Sequence, residues 1–272
     1  PGFYGSMPDG SIKVFSRGGS DVTGAIIARG TNSSLYENWT DVSGFMMADP
    51  RIVPNAKPID VITYRELREL SYMGASVLHE EAVFPVREAG IPINIRNTNR
   101  PEDKGTLIVD DNNTSSKDSA ITGIAGKKNF TVIAIEKHLM NNELGFCRKV
   151  LSIFEHNGIN FECMPSGIDS VSLVVEDKCI KNKLNSVIEE IKRQCNPDSI
   201  VVHPNMALIA TVGKRMSRTK GIAATIFSAL AAEQVNIRMI NQGSSEINII
   251  VGVEVEDFDK SVRAIYNAFM KK

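Results

Sequence analysis

One stretch of this chain is written twice, and that repeat constrains the fold more than any other feature. Gly145 to Val175 aligns without a gap on Gly221 to Val251. Gly145 matches Gly221, Asn160 matches Asn236, Gly167 matches Gly243, and Val171-Ser172-Leu173-Val174-Val175 matches Ile247-Asn248-Ile249-Ile250-Val251. Self-similarity at a fixed offset marks one supersecondary unit used twice. Each copy reads strand, helix, strand, strand, helix. In the first these are Phe130–Ile135, Phe146–His156, Asn160–Met164, Val171–Val175 and Lys183–Gln194; in the second, Ala207–Val212, Ile222–Glu233, Ile237–Ile240, Ile247–Val253 and Phe258–Phe269. Ile200–His203 closes the first copy as a split βαββαβ unit of ferredoxin-like type. The second copy has no such strand between its last helix and Lys272. Ile121-Thr122-Gly123-Ile124-Ala125, which precedes the first copy, is expected to fill that edge, so that the first unit is inserted within the second. The plainer alternative is an isolated edge strand.

The loop before each copy's first helix carries the chemistry. Copy one has Met140-Asn141-Asn142-Glu143-Leu144-Gly145-Phe146, and copy two has Lys214-Arg215-Met216-Ser217-Arg218-Thr219-Lys220-Gly221-Ile222. A glycine opening a helix leaves backbone N–H groups free to hold a small carboxylate. Glu162 and Ser166 of the following strand would face it, able to take an ammonium group and a hydroxyl contact; copy two offers Arg238 and Gln242. The alternative is that both loops merely connect and Glu162 is a solvated strand residue.

Before the repeats the pattern is of another kind. The apolar run Ile12–Phe15 reads as a strand, Gly18-Gly19 as a tight turn, and Ser20 or Asp21 as the cap of a helix through Ala25, Ile26, Ile27 and Ala28. A strand, a glycine turn and a helix start make an anion site, since the helix dipole and its free N–H groups point into the turn. Arg17 adds a fork for a carboxylate or phosphate, and Asp21 a negative charge for orienting a cation. No Gly-Lys-Ser/Thr follows, so this is not a Walker A loop; a plain strand–helix turn with a surface arginine is the alternative. Pro1 to Tyr4 ends a strand, with a hairpin turn at Asp9-Gly10. Leu35 to Val42 alternates and ends in Thr40-Asp41, the carboxyl edge where ligands bind in open α/β sheets. A breaker-rich loop, Gly44 to Arg51, a strand at Ile59–Ile62, a helix capped by Thr63 with Glu66 in capping-box style, a second helix from Val77 to Ala89 and a strand at Ile93–Arg96 complete a parallel-sheet α/β layer. Leu67, Leu70 and Met73 line one face of the first of these helices. Asn97 to Ser119, interrupted only by Thr106–Val109, reads as the linker, with a boundary near Ser115–Ser119.

Composition removes several function classes. The formal net charge of −1 over 272 residues gives no general attraction to nucleic acid or acidic membranes. No apolar run approaches the ~20 residues of a membrane span. Cys147, Cys163, Cys179 and Cys195 are spread evenly with no close pair, and the four histidines are equally scattered. The thiols therefore read as reduced core residues of a cytosolic protein, and no metal site is expected. The chain begins at Pro1, without an initiating Met or signal peptide, and reads as a fragment.

Taken together, Phe15-Ser16-Arg17-Gly18-Gly19-Ser20-Asp21, Thr40-Asp41-Val42, Ala48-Asp49-Pro50-Arg51-Ile52-Val53 and Gly74-Ala75-Ser76-Val77-Leu78-His79 stand in the order seen in aspartokinases, and the tandem repeats resemble ACT domains. The resemblance covers the whole chain. It implies the C-terminal portion of an amino-acid kinase domain over 1–118, a first ACT domain over 130–205, and a second built from 119–129 plus 206–272. It implies phosphorylation of the side-chain carboxylate of L-aspartate from Mg-ATP, restrained by an end-product amino acid, lysine or threonine. Arg17 would grip an aspartate carboxylate; Gly18, Gly19 and Ser20 would contact substrate; and Asp21 would order the phosphoryl-transfer site. Thr40, Asp41 and Arg51 would hold the nucleotide, with Met46 where the family usually has a tyrosine. The effector would meet Met140, Gly145, Phe146, Cys147, Phe161, Glu162 and Ser166 at a two-fold dimer interface, with dimer versus tetramer left open.

Ser76 stands in place of the family's lysine and Glu80 in place of its proline, so a phosphate contact is lost on that side. The family's Lys-Phe-Gly-Gly-Thr/Ser stretch, whose lysine neutralises the transferring phosphoryl group, is absent from these 272 residues. From that follows the expectation that this chain alone is not a complete catalyst. Two other readings are an amino-acid-sensing module without chemistry and a kinase acting on glutamate or acetylglutamate. A sensor needs neither Arg17–Asp21 nor the Thr40 loop, and the tandem repeat disfavours the other kinase.

Overall fold

The computed structural model describes residues 2, 4–15, 18–75, 78, 80–111 and 120–270, apart from the side chains of 80–82. Arg17, Ser76 and the expected boundary at Ser115–Ser119 lie outside the described residues.

A hairpin opens the chain, β1 (Tyr4–Ser6) antiparallel to β2 (Ile12–Val14). Asp9 ties its turn by accepting from the Ser11 hydroxyl at 2.7 Å and the Ser11 amide at 2.9 Å. Those bonds hold the Asp9 carboxyl below its usual range. Helix α1 (Gly19–Gly30) follows, and its start differs from expectation. Neither Ser20 nor Asp21 caps it; the N-cap is Gly18 at φ 70, with no side-chain cap bond. Glycine enters the left-handed region at no steric cost, so backbone conformation turns the chain where a side chain was expected to.

Four strands form the first layer: β3 (Tyr36–Thr40), β4 (Val61–Thr63), β5 (Ile93–Asn97) and β6 (Thr106–Val109), in the order β3-β5-β6-β4. β3 runs parallel to β5 and β4 to β6, while β5 and β6 are antiparallel, so the sheet is mixed and mostly parallel. Thr106–Val109, read from sequence as an interruption of the linker, is an inner strand whose Ile108 is fully buried. Helices α2 (Tyr64–Tyr72) and α3 (Glu80–Glu88) cover the layer, and α3 packs beside α1. The capping box is present: Thr63 Oγ1 accepts from Glu66 N, and the Glu66 carboxylate accepts from Thr63 N.

The repeats share one five-stranded sheet. Its members are β7 (Gly123–Glu136), β8 (Ser170–Glu176), β9 (Ser199–Val212), β10 (Met239–Asn241) and β11 (Asn248–Glu254), in the order β10-β11-β9-β7-β8. The sequence suggested separate strands on either side of residues 129 and 205; the structure joins them into two continuous strands of 14 residues each. Gly123–Lys128 runs against Ala207–Val212, and Val132–Glu136 against Ser199–His203. Hence Ile124 faces Thr211, and the strand preceding the first repeat closes the second repeat's sheet. The ladder shifts register around Phe130, beside left-handed Asn129 (φ 71), with Asn205 (φ 57) likewise left-handed on the partner strand. Asparagine tolerates that region better than other side chains. Asn160–Met164, expected as a strand, contributes only one isolated bridge, Cys163 to Val174, and a second follows just beyond it, Ser166 to Val171. Pro165 between them has no N–H to extend a ladder.

Helices α4 (Phe146–His156), a short α5 (Asp177–Ile180) and α6 (Leu184–Cys195) belong to the first repeat, and α7 (Ile222–Ala232) and α8 (Phe258–Met270) to the second. Ile133, Phe146, Phe154, Val187 and Ile191 form a core confined to the first repeat. The other core runs from Ile93 and Leu70 of the α/β layer through Ile124 and Leu208 to Ile226 of the second repeat. Among the described residues no helix is long and apolar enough to cross a membrane.

Candidate functional site

Asp21 lies in the first turn of α1, where a negative charge complements the helix dipole. Its Oδ1 accepts from Asn38 Nδ2 at 3.1 Å, and its backbone carbonyl accepts from the Tyr36 hydroxyl at 3.1 Å. Asn38 Nδ2 also donates to that hydroxyl at 3.1 Å. β3 thus presents Tyr36 and Asn38, two residues apart and on one face, to the start of α1. Burial, and secondarily the Asp21 charge, raise the Tyr36 phenol above its ordinary value. The close approach needs Gly24, because a Cβ there would stand 2.6 Å from the Tyr36 hydroxyl oxygen.

Thr40 and Asp41 end the same strand, Thr40 Oγ1 donating to Asp41 Oδ1 at 3.2 Å and Thr98 N to Thr40 O at 2.8 Å. Ser43 fixes the following loop by donating to Asp103 at 2.5 Å and accepting from Asn97 at 2.9 Å. Gly44, at φ 87, lets the chain pass Thr106, whose hydroxyl would stand 2.3 Å from a Cβ. Met46 bridges to Pro58, and Arg51 forms a 2.6 Å ion pair with Asp49 while its side chain stays 89% exposed. That pairing holds the Asp49 carboxyl below its usual range. The structure therefore brings Gly18, Gly19, Ser20 and Asp21 to one end of β3's face and Thr40 and Asp41 to its carboxyl edge. Sequence reasoning missed Tyr36, Asn38 and Ser43; the period-two spacing of Tyr36, Asn38 and Thr40 was the signal available.

In the first repeat Gly145, at φ 81, caps α4 without a side-chain bond. Met140 and Phe146 are buried, Cys147 partly so, and Ser166 is exposed. Glu143 lies between Lys137 at 2.6 Å and Lys149 at 2.8 Å, and these cations hold its carboxyl below its usual range. Phe161 lines a cleft of about 520 Å³ together with Tyr72, Leu151 and Phe154. Burial first, and then the nearby Glu162 carboxylate, push the phenol of that same Tyr72 of α2 up to about 12. In the second repeat Arg238 is paired with Glu254 at 3.6 Å and His203 at 3.0 Å, and Gln242 is exposed. There Lys214 N donates to Glu66 of α2 at 2.7 Å.

A mostly parallel α/β layer with a glycine turn at a helix start, followed by interlocked βαββαβ units, is the arrangement of an amino acid kinase fold joined to ACT domains. The amino acid kinase family matches residues 1–97 and the ACT domain family residues 209–269. Over nearly its whole length the chain is similar to aspartokinases. It is 43% identical over 270 residues to aspartokinase 3 of Bacillus subtilis, covering 99% of this chain and 59% of that one. It is 69% identical to the crystal structure of Clostridium acetobutylicum aspartate kinase, with a TM-score of 0.94, over 99% of this chain and 62% of that one. Aspartokinase III of E. coli has been solved with aspartate and ADP (29% identical, TM-score 0.78, 99% of this chain and 60% of that one). It has also been solved with lysine and aspartate (30%, TM-score 0.77, 98% and 59%). The chain thus spans about three-fifths of the length of these relatives.

Proposed function

We propose that the protein containing this chain is an aspartate kinase, transferring the terminal phosphoryl group of Mg-ATP to the side-chain carboxylate of L-aspartate to give 4-phospho-L-aspartate. The observation that carries this reading is the 69% identity to an aspartate kinase across the whole chain, including the Gly-Gly turn and both repeats. The residues fit such substrates. The uncapped start of α1 offers the amides of Gly19 and Ser20 to an anion, and Arg17, which precedes that turn in the sequence, is assigned to grip a carboxylate. Asp21 is held at the same turn by Asn38. Thr40, Asp41, Met46 and the exposed Arg51 lie at or beyond the carboxyl edge, where a nucleotide binds in such sheets. Phosphoryl transfer asks mainly for alignment and charge neutralisation; the magnesium ion arrives with the nucleotide and supplies part of the second.

In this reading 1–118 is the C-terminal portion of the kinase domain, 130–205 an inserted first ACT domain, and 119–129 plus 206–272 the second. A cytoplasmic, ACT-mediated homodimer would place an amino-acid effector between first repeats. The effector's carboxylate lies at Gly145, Phe146 and Cys147, its body near Met140 and Phe161, and its amine near Glu162 and Ser166. The acidic Glu162 and the lysine complex of the E. coli relative favour lysine over threonine. The test is aspartate- and ATP-dependent ADP formation by the full-length protein, with hydroxylamine trapping the acyl phosphate as a hydroxamate. ADP release without hydroxamate, or equal turnover without aspartate, overturns the assignment.

A further inference from the structure

We propose that Asn38 is a positioning residue for the Asp21 carboxylate, and that Tyr36 and Gly24 exist in this chain to serve it. The inference rests on the reading of Asp21 as part of the phosphoryl-transfer site. Asn38 is 9% exposed in the middle of β3, so its amide must find partners inside the protein. Its Nδ2 bonds Asp21 Oδ1 and the Tyr36 hydroxyl oxygen, each at 3.1 Å. The Tyr36 proton in turn goes to the Asp21 carbonyl at 3.1 Å. Each donor is used once, and the directions are mutually consistent: amide to carboxylate, amide to phenol, phenol to carbonyl. With only one proton to give, a tyrosine that donates to the carbonyl receives from the amide, which fixes the face of Asn38 that meets Asp21.

Gly24 supplies independent support. The Tyr36 ring and hydroxyl occupy the space that a Cβ at position 24 would need, at 2.6–2.9 Å. A glycine inside a helix costs helix propensity, and here that cost makes room for the phenol that orients Asn38. Asp21 sits one helical step past a glycine-capped turn with no side-chain cap. Among the described residues, Asn38 supplies the side-chain hydrogen bond that holds the Asp21 carboxylate at the point where the polyphosphate and the attacking carboxylate must align. A misaligned reacting group costs rate, whereas a lost binding contact costs affinity.

The test uses Asn38→Leu, Asn38→Asp, Tyr36→Phe and Asp21→Asn in the full-length protein, with steady-state kinetics and thermal melts for each. Asn38→Leu should lower kcat by roughly 10- to 100-fold while KM for ATP and aspartate changes little. Asn38→Asp keeps shape but cannot donate when ionised and repels Asp21, so it should fall at least as far. Tyr36→Phe keeps the amide–carboxylate bond and should fall least. Losses in kcat that merely follow losses in melting temperature, or a rise in KM at constant kcat, overturn the proposal. Should the leucine variant not fold, the isosteric aspartate variant decides. Wild-type turnover in Asp21→Asn removes the reading of Asp21 itself. An inactive Asp21→Asn beside fully active Asn38 variants removes this inference alone.

Discussion

A buried phenol resists losing its proton, and this protein has one in the α/β layer whose effect can be read from outside. Tyr64 is 4% exposed and donates to Ile91 O at 2.7 Å. Burial foremost, then the Asp110 charge, push it from 10.0 up to about 12. The folded value stands above the unfolded one, so the stability linked to this proton is fully present below about pH 10 and is lost as pH rises toward about 12. Tyr72, also raised to about 12, adds the same sign more weakly because its side chain is half exposed. The melting temperature should therefore hold level up to about pH 10 and then decline. Tyrosinate absorbance should rise in two stages, the later one together with unfolding. One smooth rise at ordinary tyrosine values, with no linked unfolding, would contradict the burial. At the proposed substrate turn, Arg17→Ala should raise KM for aspartate, the loss of a desolvated charged contact being worth about 2–5 kcal/mol. ATP affinity should hold, and unchanged aspartate kinetics would remove Arg17 from the site.

Among the elements, α2 carries the join between the kinase layer and the second repeat. Glu66, 4% exposed, accepts from Thr63 N and Oγ1 within its own cap, from Thr122 Oγ1 at 2.6 Å and from Lys214 N at 2.7 Å. Glu66→Ala strands buried donors on two units, so a loss of about 2–4 kcal/mol is expected. Urea denaturation should show it, with faster amide exchange at Lys214; a loss within experimental error would mean that solvent takes over those donors. The capping box itself was legible, since Thr63 and Glu66 three residues apart state it, and so was α4, whose expected span Phe146–His156 is the observed one. What sequence could not show is that Glu66 serves two partners, because Thr122 and Lys214 are distant in the chain. Thr106–Val109 was hidden for a related reason: a threonine and three apolar residues among turn formers acquire a strand's identity only from β4 and β5 on either side. At the site, Gly18-Gly19 marked the turn correctly. A side-chain cap was nevertheless the wrong mechanism, since Ser20 and Asp21 lie inside the helix that glycine starts.

For the molecule as a whole, the repeats differ in what they pack against. The first has a core of its own, while the second shares one with the α/β layer, which Phe130, Val132, Cys163 and Val174 of the first also join. Glu162, proposed to receive the effector's amine, also acts electrostatically on Tyr72 at the end of α2. An effector that draws Glu162 away changes that link, which gives it a differential affinity for two arrangements, typically about 1–3 kcal/mol of coupling. Glu162→Ala should relieve lysine inhibition and leave uninhibited kcat nearly intact. Lysine titrations of both full-length proteins at fixed aspartate check this; superimposable curves would take Glu162 out of the effector site.

The two long strands also set a timetable. Every partner of β8 and of the far half of β7 is available once His203 has left the ribosome, so the first repeat can finish folding while the chain is still growing. Gly123–Lys128 must wait as an unpaired edge until Ala207–Val212 is made. During that interval the nascent protein exposes a strand edge that a neighbouring chain on the same message could pair with instead. Slow synthesis between codons 204 and 212 would lengthen the exposure, and with it the yield of entangled chains.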